Sequence, residues 1–543
     1  MKVSDYIADH LLKNGITRCF SVTGGFAMHL NDSFGEKLDV IYQHGEAPCG
    51  YSAMGYSKMN QEPTVVCVTA GCGATNAITP CLVAYQDSVP IFFISGAVPS
   101  QENVRHLKHS TRTYTGSDCD IIDAVKHMTK FSHELTDVSE VQVILDQCIW
   151  NLRNGRPGPV WLSIPLDVQS KNVPEQIDIW YPPMCVHNTI TIEGWETAKR
   201  PLLLVGGGIR NSKTENELES FVQKHQIPVV CSFFGTDLVP DFNVGRVGVI
   251  GDRTGNFVVQ NADVIIVLGC RLSKTILGYK PELFGKNAKI TCIDVEKNST
   301  LQDFFAINLP VINHSEWLGL TRRWKSMWFQ ESPNPGVKNC PYTILIDFFK
   351  KKNECENIVV SSGSIYCVAW HTCIVKNGDR FISSGHGDMG YEVPAAIGCA
   401  MESGRTTWAI VGDGSFQLNV QELQTIKTLN VPVKILYFDN GGYGAIQVTQ
   451  DSYFKRRFGV EVPCPDVKKV CEAWDFQYFT TIDEAISFNG PCLVNIPCIV
   501  QQRYPRLYNT MREDGTFENK PMDEMWPFVD TSKVFSLENT NDS

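Results

Sequence analysis

The sequence predicts an α/β protein made of three doubly wound parallel-sheet domains, and three observations carry that expectation. Short apolar runs alternate with stretches of helical spacing along most of the 543 residues, which is the signature of βαβ units. Glycine-rich turns follow directly on several of those runs, as at Ala70–Thr75, Gly206–Gly208 and Gly412–Ser415. The composition, 43% hydrophobic and 20% charged, suits a globular chain with a large core, and the length fits about three or four domains.

The first unit spans residues 1–170. Thr64–Thr69 and Pro90–Ser95 read as strands, and Ala74–Asp87 between them has helical spacing after a glycine-rich turn. The unit ends on Gly155–Gln169, a last buried strand with an exit turn, and a polar, proline-containing linker follows to about 190. The second unit, 190–330, has strands at Leu202–Val205, Val229–Cys231, Val264–Leu268 and Lys289–Ile293. Its Gly206-Gly207-Gly208 lacks a third spaced glycine and an acidic residue after the second strand, so a tight strand-to-helix turn is the favoured reading over a dinucleotide site. The third unit spans 340–525. Residues 526–543 form a tail whose end, FSLENTNDS, reads as polar and frayed.

Net charge is −11 with both signs interspersed, which argues against a nucleic-acid surface. No apolar run reaches membrane-spanning length. None of the 20 cysteines is spaced C-x-x-C, so a zinc or thioredoxin-type motif is not indicated. The opening MKVSDYIADHLLKNG reads as an amphipathic helix, not a signal peptide. A cytoplasmic protein with reduced core thiols is expected.

Most chemistry is written between Gly412 and Gly442. Two apolar runs, Trp408–Val411 and Val433–Phe438, bracket a helical stretch, and each delivers an oxygen ligand at its C-terminal end. Asp413 offers a carboxylate, Asn440 an amide oxygen, and the Gly441-Gly442 turn a backbone carbonyl. An oxygen-only set suits a hard cation such as Mg²⁺, which also takes phosphate ligands. Gly414 and Ser415 open the helix, where N–H groups hold an anion.

This segment resembles the diphosphate-binding motif of thiamine-diphosphate (ThDP) enzymes, GDG, about 24–27 residues, then NN. Here 24 residues, 415–438, separate GDG from Asp439-Asn440, with Asp in place of the first Asn. The coenzyme's own 4′-imino group deprotonates its thiazolium when a buried acid exchanges a proton at pyrimidine N1′. Glu46 fits that part: nine residues lead from it to Gly55-Tyr56-Ser57-Lys58, similar to the family's Gly-Tyr-Ala-Arg. Burial is expected to raise its pKa. Phe20–Gly25 resembles VFGxPGG, Thr69–Asn76 resembles TSGPGATN, and Gly387–Gly398 resembles GTMGFGLPAAIG. Ser362-Gly363-Ser364 sits where the family has a second diphosphate-contacting turn.

The resemblance covers residues 3 to about 500 and is to the acetolactate-synthase and pyruvate-oxidase branch. It implies a pyrimidine-binding domain, a central domain and a diphosphate-binding domain in the three units. It implies metal ligands Asp413, Asn440 and Gly442. It implies cofactor contacts at Gly25, Asn76, Gly363, Ser364, Gly387, Met389, Asp413, Gly414, Ser415, Asn440, Gly442 and Tyr443, with Met389 as the apolar wedge that bends the coenzyme. It also implies a dimer or dimer of dimers, with each site between the first domain of one subunit and the third of its partner.

Several positions depart from the synthase pattern. Thr449 stands where synthases carry a Trp that shapes the acceptor pocket, leaving room for a bulkier acceptor. Asp118 and Ala97 stand where they carry Gln. Tyr453-Phe454, Gln502–Arg506 and Met522–Phe528 look more like synthase-like proteins of cell-surface sugar pathways. His106 and His109 are not adjacent, so the histidine pair of some decarboxylases is absent. Arg271 matches an arginine that contacts FAD in members that bind it, although a structural role accounts for it equally well, and FAD stays open. The expectation is a ThDP- and Mg²⁺-dependent enzyme that decarboxylates a 2-oxo acid, most simply pyruvate, and joins the two-carbon unit to a second carbonyl, bulky or sugar-derived. The alternatives are a simple decarboxylase, an FAD-linked oxidase and a non-catalytic scaffold.

Overall fold

A computed structural model describes residues 1–108, 111–175, 180–183, 188–328, 336–499, 505–507, 509–511, 517–529 and 534. His109, part of the Gln502–Arg506 segment and the FSLENTNDS end lie outside the described residues.

The first sheet holds β1 (Arg18–Ser21), β2 (Asp39–Tyr42), β3 (Thr64–Val68), β4 (Ile91–Ala97), β5 (Phe131–Glu134) and β6 (Val160–Pro165), in the order β2-β1-β3-β4-β6-β5. The second holds β7 (Pro201–Val205), β8 (Val229–Cys231), β9 (Asn243–Arg246), β10 (Val264–Leu268) and β11 (Lys289–Ile293), ordered β11-β10-β7-β8-β9. The third holds β12 (Asn357–Val359), β13 (Arg380–Ile382), β14 (Thr407–Gly412), β15 (Val433–Asp439), β16 (Tyr478–Phe479) and β17 (Cys492–Pro497), ordered β13-β12-β14-β15-β17-β16. All pairings within these sheets are parallel. Counted within each unit, the first and third sheets share one strand order, so the expected three parallel-sheet domains are present and two of them are alike. In all three the order reverses beside the first strand, and crevices at such switch points bind ligands.

Central strands such as β3 and β10 are buried along their whole length, as a sheet covered on both faces requires. The edge strands β5 and β16 are only half-buried. Where one helix over Ala74–Asp87 is expected, the chain forms two, Cys72–Asn76 and Ile78–Asp87. Pro80 has no N–H for the Asn76 carbonyl, and the chain steps at Ala77. The single helix expected after Gly412 is likewise divided, into Asp413–Phe416, a 3₁₀ turn Gln417–Asn419, and Glu422–Leu429.

The first and third domains pack through helices Glu46–Asn60 and Glu392–Ser403, both rich in small residues. A Cβ on Gly55 would overlap the Ala395 carbonyl, and one on Gly398 would overlap the Ser52 carbonyl. Ser52 Oγ donates to Pro394 O at 2.8 Å. Gly55 and the Gly398 end of the GTMGFGLPAAIG-like stretch therefore serve backbone-to-backbone packing. Leu507, Met522 and Met525 join the apolar core of the central unit. Among the described residues no helix is long and apolar enough to cross a membrane.

The central and third units meet at Asp237. Its Oδ2 lies 3.0 Å from Arg210 Nη2 and 3.2 Å from Arg380 Nε, and it accepts the Phe381 N–H at 3.1 Å. Burial raises the carboxyl pKa, but the two guanidinium charges and that hydrogen bond outweigh it and leave the pKa lowered. The stabilisation is thus present above the pKa of an unfolded-chain aspartate and lost as pH falls through the lowered folded value. Asp237→Ala takes the shared carboxylate from two partly buried guanidinium groups, of which Arg210 keeps Glu215 and Arg380 keeps the Lys58 and Met59 carbonyls, and should cost about 1.5–3 kcal/mol, read as a lower denaturation midpoint. A midpoint equal to wild type would show that the pairing contributes nothing.

Candidate active site

The predicted residues gather in two clusters, each at the C-terminal edge of its sheet. In the first domain Glu46 begins the helix after β2, where its charge suits the helix N-terminus. Its Oε2 accepts from Asn76 Nδ2 at 3.2 Å. Helix Cys72–Asn76 passes close to its other oxygen: a Cβ on Gly73 would stand 3.3 Å from Glu46 Oε1. Gly25 starts a short 3₁₀ turn after β1, where the Phe26 N–H donates to Thr69 Oγ1 at 3.3 Å. Glu46 is half-buried in the single chain. The loop ahead of it is fixed from the third domain, because buried Glu422 accepts from Gln43 Nε2 at 2.9 Å and from the His44 N–H at 3.4 Å.

In the third domain Asp413 is 1% exposed. Its Oδ1 accepts the Gly414 N–H at 2.8 Å. Its Oδ2 accepts the N–H groups of Gly442 at 2.8 Å and Asn440 at 3.3 Å. One carboxylate thereby draws the ends of β14 and β15 together. Burial raises its pKa, and these backbone bonds act against the rise. Gly441 and Gly442 have φ of +79° and +122°, and a Cβ on Gly442 would stand 2.6 Å from the Val460 carbonyl. The Gly442 carbonyl accepts from the Gly444 N–H at 2.9 Å and keeps a second lone pair. Asn440 Oδ1 is buried without a hydrogen-bond partner. A buried acceptor with no donor, beside a carboxylate, fits a cation ligand. Among the described residues no cluster of three or more His, Cys, Asp or Glu could hold a metal. The donor set is instead one carboxylate, one amide and one carbonyl.

Met389 sits between Gly387 and Gly390, whose φ values are +69° and +87°. Its Cε lies 3.6 Å from where a Gly414 Cβ would be, and the Tyr443 ring closes on the same point. Gly363, with φ +72°, and Ser364 open helix Gly363–Thr372. Among the described residues no hydrogen bond or ion pair joins the Glu46 cluster to the Asp413 cluster within the chain.

Asp118 anchors its own loop, accepting from Thr113 Oγ1 at 2.7 Å and from the N–H groups of Tyr114 and Thr115 at 2.6 and 2.9 Å. His106 Nε2 pairs with Glu134 Oε2 at 2.8 Å. Thr449 is exposed. Arg271 lines a cavity of about 780 Å³ at the central switch point, together with Gly207, Gly208 and Asp294. The glycine turn after β7 is tight as expected, since a Cβ on Gly208 would stand 2.5 Å from Gly269 Cα.

The sequence reading missed Glu392, which is fully buried and bonded to Ser362 and Ser415. The available signal was an acid in an otherwise apolar stretch, at the place where GTMGFGLPAAIG has glycine.

Family models of thiamine pyrophosphate (ThDP) enzymes match all three domains: the N-terminal TPP binding domain at residues 1–117, the central domain at 193–315 and the C-terminal TPP binding domain at 361–496. The chain is 27% identical to an acetolactate synthase large subunit of Buchnera aphidicola, over 87% of this chain and 88% of that protein. It is 26% identical to the isozyme 2 large subunit of Escherichia coli, over 91% and 95%. The Lactococcus lactis large subunit is 26% identical, over 88% and 87%. With three domain models matched in order and relatives aligned along most of its length, the chain belongs to the thiamine pyrophosphate enzymes, on their acetolactate synthase branch.

Proposed function

We propose that this chain is a cytoplasmic ThDP- and Mg²⁺-dependent carboligase that takes a two-carbon unit from pyruvate and adds it to a second carbonyl compound. The observation that carries the reading is the unpartnered, buried Oδ1 of Asn440 next to Asp413, in a chain similar to acetolactate synthases throughout.

Asp413, Asn440 and the Gly442 carbonyl would hold Mg²⁺. Gly363, Ser364, Gly414 and Ser415 would face the diphosphate. Gly387 would flank the diphosphate, Gly25 and Asn76 would lie at the pyrimidine end beside Glu46, and Met389 and Tyr443 would supply apolar walls. When bound, ThDP supplies the carbanion chemistry that cleaves a 2-oxo acid. Glu46 holds and exchanges the proton at pyrimidine N1′, and Asn76 Nδ2 orients its carboxylate. A site poor in water favours transfer to a carbonyl over protonation.

The two half-sites would meet across a homodimer, or within a tetramer built from it. Each carries exposed apolar side chains: Met28 (53%) and Tyr42 (52%) on the first domain, Leu418 (53%) and Phe458 (72%) on the third. Exposed apolar side chains beside both half-sites support association there. A second copy would also complete the burial of Glu46. Thr449 favours an acceptor larger than pyruvate, and a sugar-derived carbonyl is the preferred class. The central cavity with Arg271 supports FAD as a further cofactor.

Incubation with pyruvate alone and then with a panel of carbonyl acceptors, followed by product mass, tests the reading. Coupled products are expected only with an acceptor. Free aldehyde from pyruvate alone, unchanged by any acceptor, would make the enzyme a simple decarboxylase. A yellow protein that consumes an electron acceptor would make it an oxidase, and no ThDP uptake would leave a scaffold.

A further inference from the structure

Glu392 opens helix Glu392–Ser403 and is 0% exposed. Its Oε1 accepts from the Ser362 N–H at 2.9 Å and from Ser362 Oγ at 2.8 Å. Its Oε2 accepts from Ser415 Oγ at 2.7 Å. Ser415 Oγ in turn accepts the Gly390 N–H at 2.7 Å, and the Gly390 carbonyl accepts from Asn419 Nδ2 at 2.6 Å. Ser362 belongs to the turn after β12, Gly390 to the Met389 turn after β13, and Ser415 to the turn after β14. One buried side chain therefore ties together three loops at the switch-point edge. The family stretch that this segment resembles, GTMGFGLPAAIG, has glycine at the place of Glu392.

We propose that Glu392 is a positioning residue that clamps the two diphosphate-facing turns and the Met389 turn into one arrangement, setting affinity for the cofactor's diphosphate without touching it. This rests on the cofactor reading above.

The clamp needs a carboxylate. Both of its oxygens accept, and together they take the donors that Ser362 and Ser415 present. The hydroxyl proton of Ser415 is committed to Glu392 and its oxygen is occupied by Gly390. Ser415 is left to meet an anion with its backbone N–H. A glutamine could satisfy the Ser362 side with its oxygen. Its amide would then donate to Ser415 Oγ, already an acceptor, and turn the serine proton loose. An alanine would leave the donors facing a void, and buried unsatisfied donors reorganise their surroundings. Burial pushes the Glu392 pKa up, with the Ser415 and Ser362 hydrogen bonds acting against it.

The test titrates ThDP in saturating Mg²⁺ into wild type, Glu392→Gln and Glu392→Ala by calorimetry. Turnover of pyruvate at saturating cofactor and the thermal midpoint of each apo protein accompany it. Glu392→Ala is expected to bind ThDP at least about 10-fold more weakly and Glu392→Gln by less, while kcat at saturation stays within about threefold. A folded variant with a lowered thermal midpoint and wild-type affinity overturns the proposal, because a purely structural role predicts that pattern. If Glu392→Ala is not recovered folded, Glu392→Gln carries the same comparison. A wild type that takes up no ThDP removes the cofactor reading and the clamp with it. Equal binding by wild type and variants removes the clamp alone.

Discussion

Glu46→Gln is expected to bind ThDP and Mg²⁺ as wild type does, within about threefold, and to lose turnover by about 10²–10⁴-fold, the range for a single proton-transfer group. The substitution keeps the size of the side chain and an oxygen that can accept from Asn76 Nδ2, now 3.2 Å away. It removes the exchangeable proton. Because the residues proposed to hold the metal and the diphosphate sit in another cluster on another domain, binding and turnover should separate cleanly. Calorimetry for binding and initial rates with pyruvate read the two. A variant that turns over within about threefold of wild type would sink the role assigned to Glu46.

Asp413→Ala should show the opposite split, with cofactor uptake lost first. Two things go at once: the proposed charged ligand, and the acceptor that holds the Gly442 and Asn440 N–H groups at 2.8 and 3.3 Å. Loss of an outer-shell partner costs metal sites roughly 10–100-fold, and a charged inner ligand should exceed that. Asp413→Asn tells the two effects apart. It retains an acceptor oxygen but not the charge, so it should hold the turn better than alanine while still losing Mg²⁺-dependent ThDP binding. Titration across Mg²⁺ concentrations, with circular dichroism to verify folding, reads both. Unchanged Mg²⁺ dependence in Asp413→Ala would place the cation elsewhere.

How much of this was legible beforehand follows from range. Strands β3, β10, β14 and β15 are buried apolar runs, and local pattern reveals them. Asp413 and Asn440 stand at the ends of two such runs, so their meeting follows from the parallel register of neighbouring strands. The half-buried edge strands β5 and β16 carry no such pattern. β9 is short, contains a glycine and pairs across an irregular register. Contacts between distant residues leave no trace in spacing. Glu422 holds Gln43 across 379 positions, and Glu392 reaches Ser362 and Ser415 only once three loops have been assembled. The break at Ala77 was visible in principle, since Pro80 removes one helical hydrogen bond, but helical periodicity alone concealed it.

The contact between helices Glu46–Asn60 and Glu392–Ser403 behaves as a weld rather than a hinge. With carbonyls seated where Gly55 and Gly398 lack side chains, neither helix slides by a residue without collision. The first and third domains of the chain are therefore locked against sliding past each other along this contact. Reshaping this enzyme for a new acceptor is best attempted away from that seam.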